Sequence, residues 1–100
     1  MSSRSQTTQR QVAPCRTSPL YNVLLLNDDV TPMEFVVNAL QRFIGLDYEG
    51  ACKLMLRVHH EGKAVCGTYE REQAEATVAG IQAFADAYNH PLKCIVEEAR

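Results

Sequence analysis

Serine is missing from residues 20–100, tryptophan from the whole chain, and neither a Cys-x-x-Cys pair nor a glycine-rich phosphate loop occurs. Each absence excludes a chemistry. Without serine, and with no cysteine in a nucleophile setting, acyl transfer of the Ser–His–Asp kind has no attacking group. Without paired cysteines, and with His59 and His60 adjacent rather than a helical turn apart, a structural zinc site lacks its ligand spacing, so no metal and no cofactor is expected. No stretch approaches the ~18 consecutive apolar residues of a membrane span, and the N-terminus lacks a secretory apolar core. A soluble, cytosolic protein that stays clear of membranes is expected.

Clustered positive charge is also scarce. The chain carries 10 Lys and Arg against 12 Asp and Glu, a formal charge of −2. Arg4, Arg10 and Arg16 belong to residues 1–19, which hold no acid, so residues 20–100 keep seven basic against twelve acidic side chains, a net of −5. A surface of that sign repels phosphate, and no nucleic-acid partner is expected.

What is present is the material of one domain: 100 residues, 46% hydrophobic and 22% charged. Residues 1–19, with Pro14 and Pro19 among Ser, Thr, Gln and Arg, have almost no apolar periodicity and read as a flexible extension. Residues 20–100 read as the folded core. Cys15, Cys52, Cys66 and Cys94 are far apart, and the last three fall in patterned elements, where they serve as small buried hydrophobes.

Leu20–Leu26 forms an apolar run bounded by Pro19 and by Asn27-Asp28-Asp29, the pattern of a central strand. Thr31-Pro32-Met33-Glu34 then has the spacing of a capping box with proline in the first helical position. Met33, Val36, Val37, Leu40, Phe43 and Ile44 make a helical stripe that Gly45 ends. Asp47 caps a second helix ending at Gly62; Leu54 and Leu56 widen its apolar face and predict burial over much of its circumference. Lys63–Tyr69 reads as a strand weakened by Ala64 and Gly67. A third helix opens among Glu70, Glu72 and Glu75 and breaks at Asn89-His90-Pro91, ahead of a strand from Leu92 to Glu97. The predicted fold is α+β: three helices on a small three-stranded antiparallel sheet, in the order β-α-α-β-α-β.

Asn27-Asp28-Asp29 sits between a buried strand and a helix, and short polar side chains there are turn formers or a cluster of fixed oxygen acceptors. His59 shares the stripe of Met55 and Val58, either as a core histidine or as a partner of that cluster, while His60 points to water. Met33 and Met55 either fill the core or line an adaptable apolar cavity. A small enzyme using an Asp28/His59 pair and a small-molecule or metal-binding regulatory domain are alternative readings of the same residues.

The block Asn27-Asp28-Asp29-Val30-Thr31-Pro32-Met33-Glu34-Phe35-Val36, the downstream Val58-His59, and His90-Pro91-Leu92 together resemble the ClpS family of ATP-dependent Clp protease adaptors over about residues 20–99. The resemblance implies the same α+β fold, no catalytic residues, and a monomeric adaptor. Its partners would be proteins whose N-terminal residue is a destabilising Leu, Phe, Tyr or Trp (N-degrons), handed to a ClpA-like AAA+ unfoldase and its peptidase. By the same resemblance, Asn27, Asp28 and His59 would bind the free α-amino group. Thr31, Met33, Val36, Met55, Val58 and Leu92 would line the side-chain pocket with Asp29 at its rim. Glu72 would contact the unfoldase, Thr77 stands where relatives often carry Lys, and the N-terminal extension would serve handover.

Overall fold

The computed structural model describes residues 19–99. Its elements run β1 (Tyr21–Leu26), α1 (Met33–Ala39) prolonged by a π-helical turn (Leu40–Ile44), α2 (Tyr48–Glu61), β2 (Lys63–Tyr69), α3 (Arg71–Ala87) and β3 (Lys93–Glu98). The α+β order read from the sequence is the one observed. The sheet is antiparallel with the order β2-β1-β3, so β1 is paired along both edges. Leu25 faces Ala64 on one side and Cys94 on the other. Between Val23 and Leu24 the register with β2 slips by one residue, a bulge that absorbs Cys66.

Val23 and Leu25 in β1, Leu40 at the end of α1 and Ile81 in α3 have no solvent exposure and form the centre of the core. Helix α3 lies against all three strands, α2 against β2, and α1 against α2. Cys66 and Cys94 are buried free thiols; burial pushes the first up to about 11 and the second up to about 12. They pack as small apolar side chains, whereas Cys52 is half-buried and Cys15 lies outside the described residues.

Two local expectations fail. Helix α1 starts at Met33, not Pro32, and no side chain caps it; Pro32 occupies the cap and its carbonyl accepts from Phe35 and Val36. The Thr31–Glu34 capping box does not form, because the Thr31 N–H and hydroxyl both donate to Asp28 one turn earlier. Helix α2 is also less enclosed than its composition predicts: only Ala51 and Val58 are buried, Leu54 is half-buried, and Leu56 keeps 44% of its surface exposed. Both helix stops hold, at Gly45 (φ 86°) and Gly62 (φ 89°). The Asp47 side chain accepts from the Gly50 N–H at 2.8 Å as an N-cap should.

The end of α3 is tied to β3 through one side chain. Gln82 donates from Nε2 to the Leu92 carbonyl (3.1 Å) and accepts at Oε1 from the Cys94 N–H (2.6 Å). Along the same helix, Gly80 meets the Phe43 ring so closely that a Cβ there would lie 2.9 Å from the ring edge. Phe43 is hemmed in, with the Phe84 ring 5.6 Å away and the Arg42 guanidinium 5.7 Å from its own centroid. Gly80→Ala gains about 1 kcal/mol of helix propensity. It loses about 1–3 kcal/mol to overpacking, so a net destabilisation is expected. Thermal unfolding followed by circular dichroism checks it; an unchanged or higher Tm would show that the ring moves aside freely.

Candidate functional site

The loop after β1 is a continuation of the sheet before it becomes irregular. The Asn27 N–H donates to the Gly62 carbonyl at 2.8 Å, fastening the loop to the junction of α2 and β2. His59, in the last turn of α2, is thereby brought beside Asn27 and Asp28. The loop then turns on the Asp28 carboxylate: Oδ1 accepts from the N–H of Val30 (2.8 Å) and of Thr31 (2.7 Å), and Oδ2 from the Thr31 hydroxyl (2.9 Å).

Loop, α1, the end of α2 and the entry to β3 enclose a cavity of about 320 Å³. Its polar edge is Asn27, Asp28, Asp29 and His59; its apolar surface is Met33, Val36, Met55, Val58 and Leu92. Thr31 also lines it. The structure therefore gathers around one cavity every residue that the sequence comparison assigned to amine binding or to a side-chain pocket. Sequence reading missed three further lining residues, Leu26, Val30 and Pro32. Val30 carried a usable signal, being the lone apolar residue of an acidic turn, and it is 71% exposed. Glu72 is elsewhere, exposed in the first turn of α3, and the Thr77 hydroxyl is turned back onto the Gln73 carbonyl of its own helix.

The apolar surface has two parts of different stiffness. Val36, Val58 and Leu92 belong to the core, at 8%, 3% and 2% exposure, so the cavity floor is as fixed as the core itself. Met33 is 47% exposed and Met55 half-buried, two adaptable side chains at the mouth. Leu92 reaches the floor because α3 ends sharply, with Asn89 at a φ of 59° and the His90 N–H returning to the Ala85 carbonyl.

Partial burial pushes the Asp28 carboxyl up. Opposing this, the Thr31 and Val30 N–H groups, the Thr31 hydroxyl and the charge of His90 together hold it below its ordinary value. The sequence reading used His90 only in a helix break and in the family block, not as a residue of the site. Its ring stands edge-on to Phe35 with centroids 4.5 Å apart, which fixes it near the loop. Among the described residues, no group of three or more His, Cys, Asp or Glu is placed to hold a metal ion. No helix among the described residues is long and apolar enough to cross a membrane.

A fixed carboxylate and an amide at the edge of an apolar cavity can accept hydrogen bonds from a cation while its apolar body enters the cavity. Residues 16–95 match the family described as ATP-dependent Clp protease adaptor protein ClpS. The chain belongs to the ClpS family. It is 50% identical over 94 residues to the ATP-dependent Clp protease adapter protein ClpS of Xanthomonas campestris pv. campestris, covering 94% of this chain and 86% of that one. It is 48% identical over 93 residues to the protein of the same name from Aromatoleum aromaticum, covering 93% and 88%. The solved structure of Agrobacterium tumefaciens ClpS2 bound to L-phenylalaninamide is similar with a TM-score of 0.79 and 32% identity, over 81% of this chain and 98% of that one.

The three bonds to Asp28 stabilise the fold as well as the site, with a definite dependence on pH. A carboxyl lowered on folding contributes stability above its unfolded value, and the contribution is lost as pH falls through the folded one. Asp28→Asn, which offers an NH2 where the Thr31 hydroxyl now donates, should cost about 1 kcal/mol near pH 7, as for a lost side-chain cap. The cost should shrink below the acid transition, where the native carboxyl is itself protonated. Chemical denaturation at pH 7 and in strong acid measures both; an equal cost at the two values would mean the charge of Asp28 contributes nothing.

Proposed function

We propose that the cavity binds the first residue of polypeptides that begin with Leu, Phe, Tyr or Trp, and that the domain delivers them to a ClpA-like AAA+ unfoldase and its peptidase. The observation that carries this reading is the convergence of an acceptor cluster and an apolar floor on one cavity. It is supported by the relative whose solved structure holds L-phenylalaninamide, a molecule with a free α-amino group and one bulky side chain.

The chemistry follows from the two halves. A free α-amino group, with a pKa of about 7.7–8.0, is a cation with three donors near neutral pH. Asn27 Oδ1, a ring nitrogen of His59 and a carboxylate oxygen of Asp28 supply up to three acceptors, and Asp28 balances the charge. The side chain of the first residue leaves water on the floor of Val36, Val58 and Leu92, under Met33 and Met55, with Asp29 at the rim. Burying such a side chain contributes about 1.5–3 kcal/mol, which alone corresponds to weak binding. The amine contacts must supply the remainder, so recognition requires both groups at once. An internal residue of a folded or extended chain offers no such cation. Glu72 is the proposed contact to the unfoldase, in the exposed first turn of α3, and delivery needs no chemistry from this chain.

A panel of peptides differing only in the first residue, each with a free or an acetylated amine, tests the reading by fluorescence anisotropy. Acetylation of a Phe-initiated peptide should abolish binding, since it removes the charge and two of the three donors. Replacing the first residue by Gly should cost about 1.5–3 kcal/mol, the burial value of the lost side chain. Asp28→Ala should cost about 2–5 kcal/mol, the range for removing one member of a buried charge pair. Equal affinity for blocked and free peptides would overturn the assignment.

A further inference from the structure

The hydrogen bonds around Asp28 give Thr31 a different part from the one its place on the cavity surface suggests. A carboxylate has about four lone-pair sites, two on each oxygen. Oδ1 accepts two N–H bonds, from Val30 and Thr31, and Oδ2 accepts one, from the Thr31 hydroxyl. One site on Oδ2 is left. Thr31 supplies two of these three bonds and, among the described residues, the one bond seen on the oxygen that keeps capacity.

We infer that Thr31 is a positioning residue for the ammonium contact rather than a wall of the side-chain pocket, its hydroxyl holding Asp28 so that one lone pair of Oδ2 meets an incoming N–H. The inference rests on the reading that this cavity binds a free α-amino group. Its physical basis is that the Cβ–Cγ torsion of a carboxylate is broad and roughly two-fold, and each hydrogen bond to an oxygen off that axis narrows it. With the backbone gripping Oδ1 and the hydroxyl gripping Oδ2, that rotation is closed. A partner that arrives then meets an acceptor already oriented, and less ordering free energy is lost on binding. Donation to the ionised form also keeps Asp28 charged, in the direction its lowered pKa shows.

The test uses the full chain and a fluorescein-labelled decapeptide beginning with Phe, with versions beginning with Gly or carrying an acetylated amine. Thr31→Val replaces the hydroxyl by a methyl of the same size; Thr31→Ser keeps the hydroxyl. Thr31→Val should weaken the free Phe peptide up to roughly tenfold, because the bond exists before the peptide arrives and binding loses only the ordering it supplied, about 0.5–1.5 kcal/mol per side chain, and Thr31→Ser should stay within about threefold of the unmodified chain. The preference for Phe over Gly should be unchanged in both. The acid limb of binding should move to higher pH in Thr31→Val, because a carboxylate with one donor fewer is protonated more easily. Asp29 in the same loop, His59 at the end of α2 and His90 ahead of β3 are common to all variants, so the difference between profiles belongs to Asp28.

Binding of Thr31→Val within about twofold of the unmodified chain would overturn the inference, as twofold lies below the low end of that ordering range. So would a fall in the Phe-over-Gly preference with an unmoved acid limb, the mark of a wall residue. If Thr31→Val gives no cooperative melt, Thr31→Ala removes the same hydroxyl and is read by the same criteria. The parent reading fails separately: the unmodified chain would then bind acetylated and free peptides alike.

Discussion

Strand β1 is the reference for every other element. It is paired on both edges, its Val23 and Leu25 are wholly buried, and α3 packs over it as well as over its two neighbours. The pairing does not stop where the strand does. Asn27 still bonds the chain at Gly62, so the loop that carries the acceptors leaves the sheet already aligned with the end of α2. A loop hung from a central strand inherits the rigidity of the core, which is what a site built from short polar side chains needs. Had the same acidic turn followed an edge strand, its carboxylates would be free to follow the solvent.

The cavity divides its work in the same way. Its floor is core and cannot change shape without loss of packing, while its mouth is made of methionine, whose three rotatable bonds adapt at little cost. On the proposed reading, discrimination between bulky and small first residues belongs to the floor, and tolerance among bulky ones to the mouth. The acceptor edge adds a requirement of a different kind, for charge, that neither floor nor mouth can satisfy. The net −5 of residues 20–100 favours a cationic group at long range without specifying it.

Much of this was legible in the sequence because helices and strands are written with different periods. The stripe at Met33–Ile44, the stops at Gly45 and Gly62 and the break at Asn89-His90-Pro91 are local signals, and the element order follows from them. The failures are also instructive. The Thr-x-x-Glu spacing at Thr31 competes with an Asp-x-x-Thr spacing one turn earlier, and the pattern alone does not tell which donor–acceptor set wins. The structure awards Thr31 to Asp28. Counting apolar residues overstated the burial of α2, because Leu56 is apolar yet stays 44% exposed, apart from the residues packed on the core. The π-helical turn at Leu40–Ile44 leaves no periodicity to read, since it inserts a single residue. As for the site, residue types pointed to Asn27, Asp28 and His59, but Leu92 and Val36 are indistinguishable from core in a pattern, and only the resemblance to a family set them apart. The part His90 plays beside Asp28 was not legible, because its nearness is a product of how α3 ends.

The Gln82 side chain has a consequence beyond joining α3 to β3. Strand β3 is one margin of the sheet, and a margin offers unpaired N–H and C=O groups to any extended chain that passes. By bonding the Leu92 carbonyl and the Cys94 N–H, the Gln82 amide occupies that margin as one residue of a fourth strand would. The start of that margin is thus closed to indiscriminate backbone pairing. On the proposed function, such a domain is left to read polypeptides by their ends rather than by adhesion along their length.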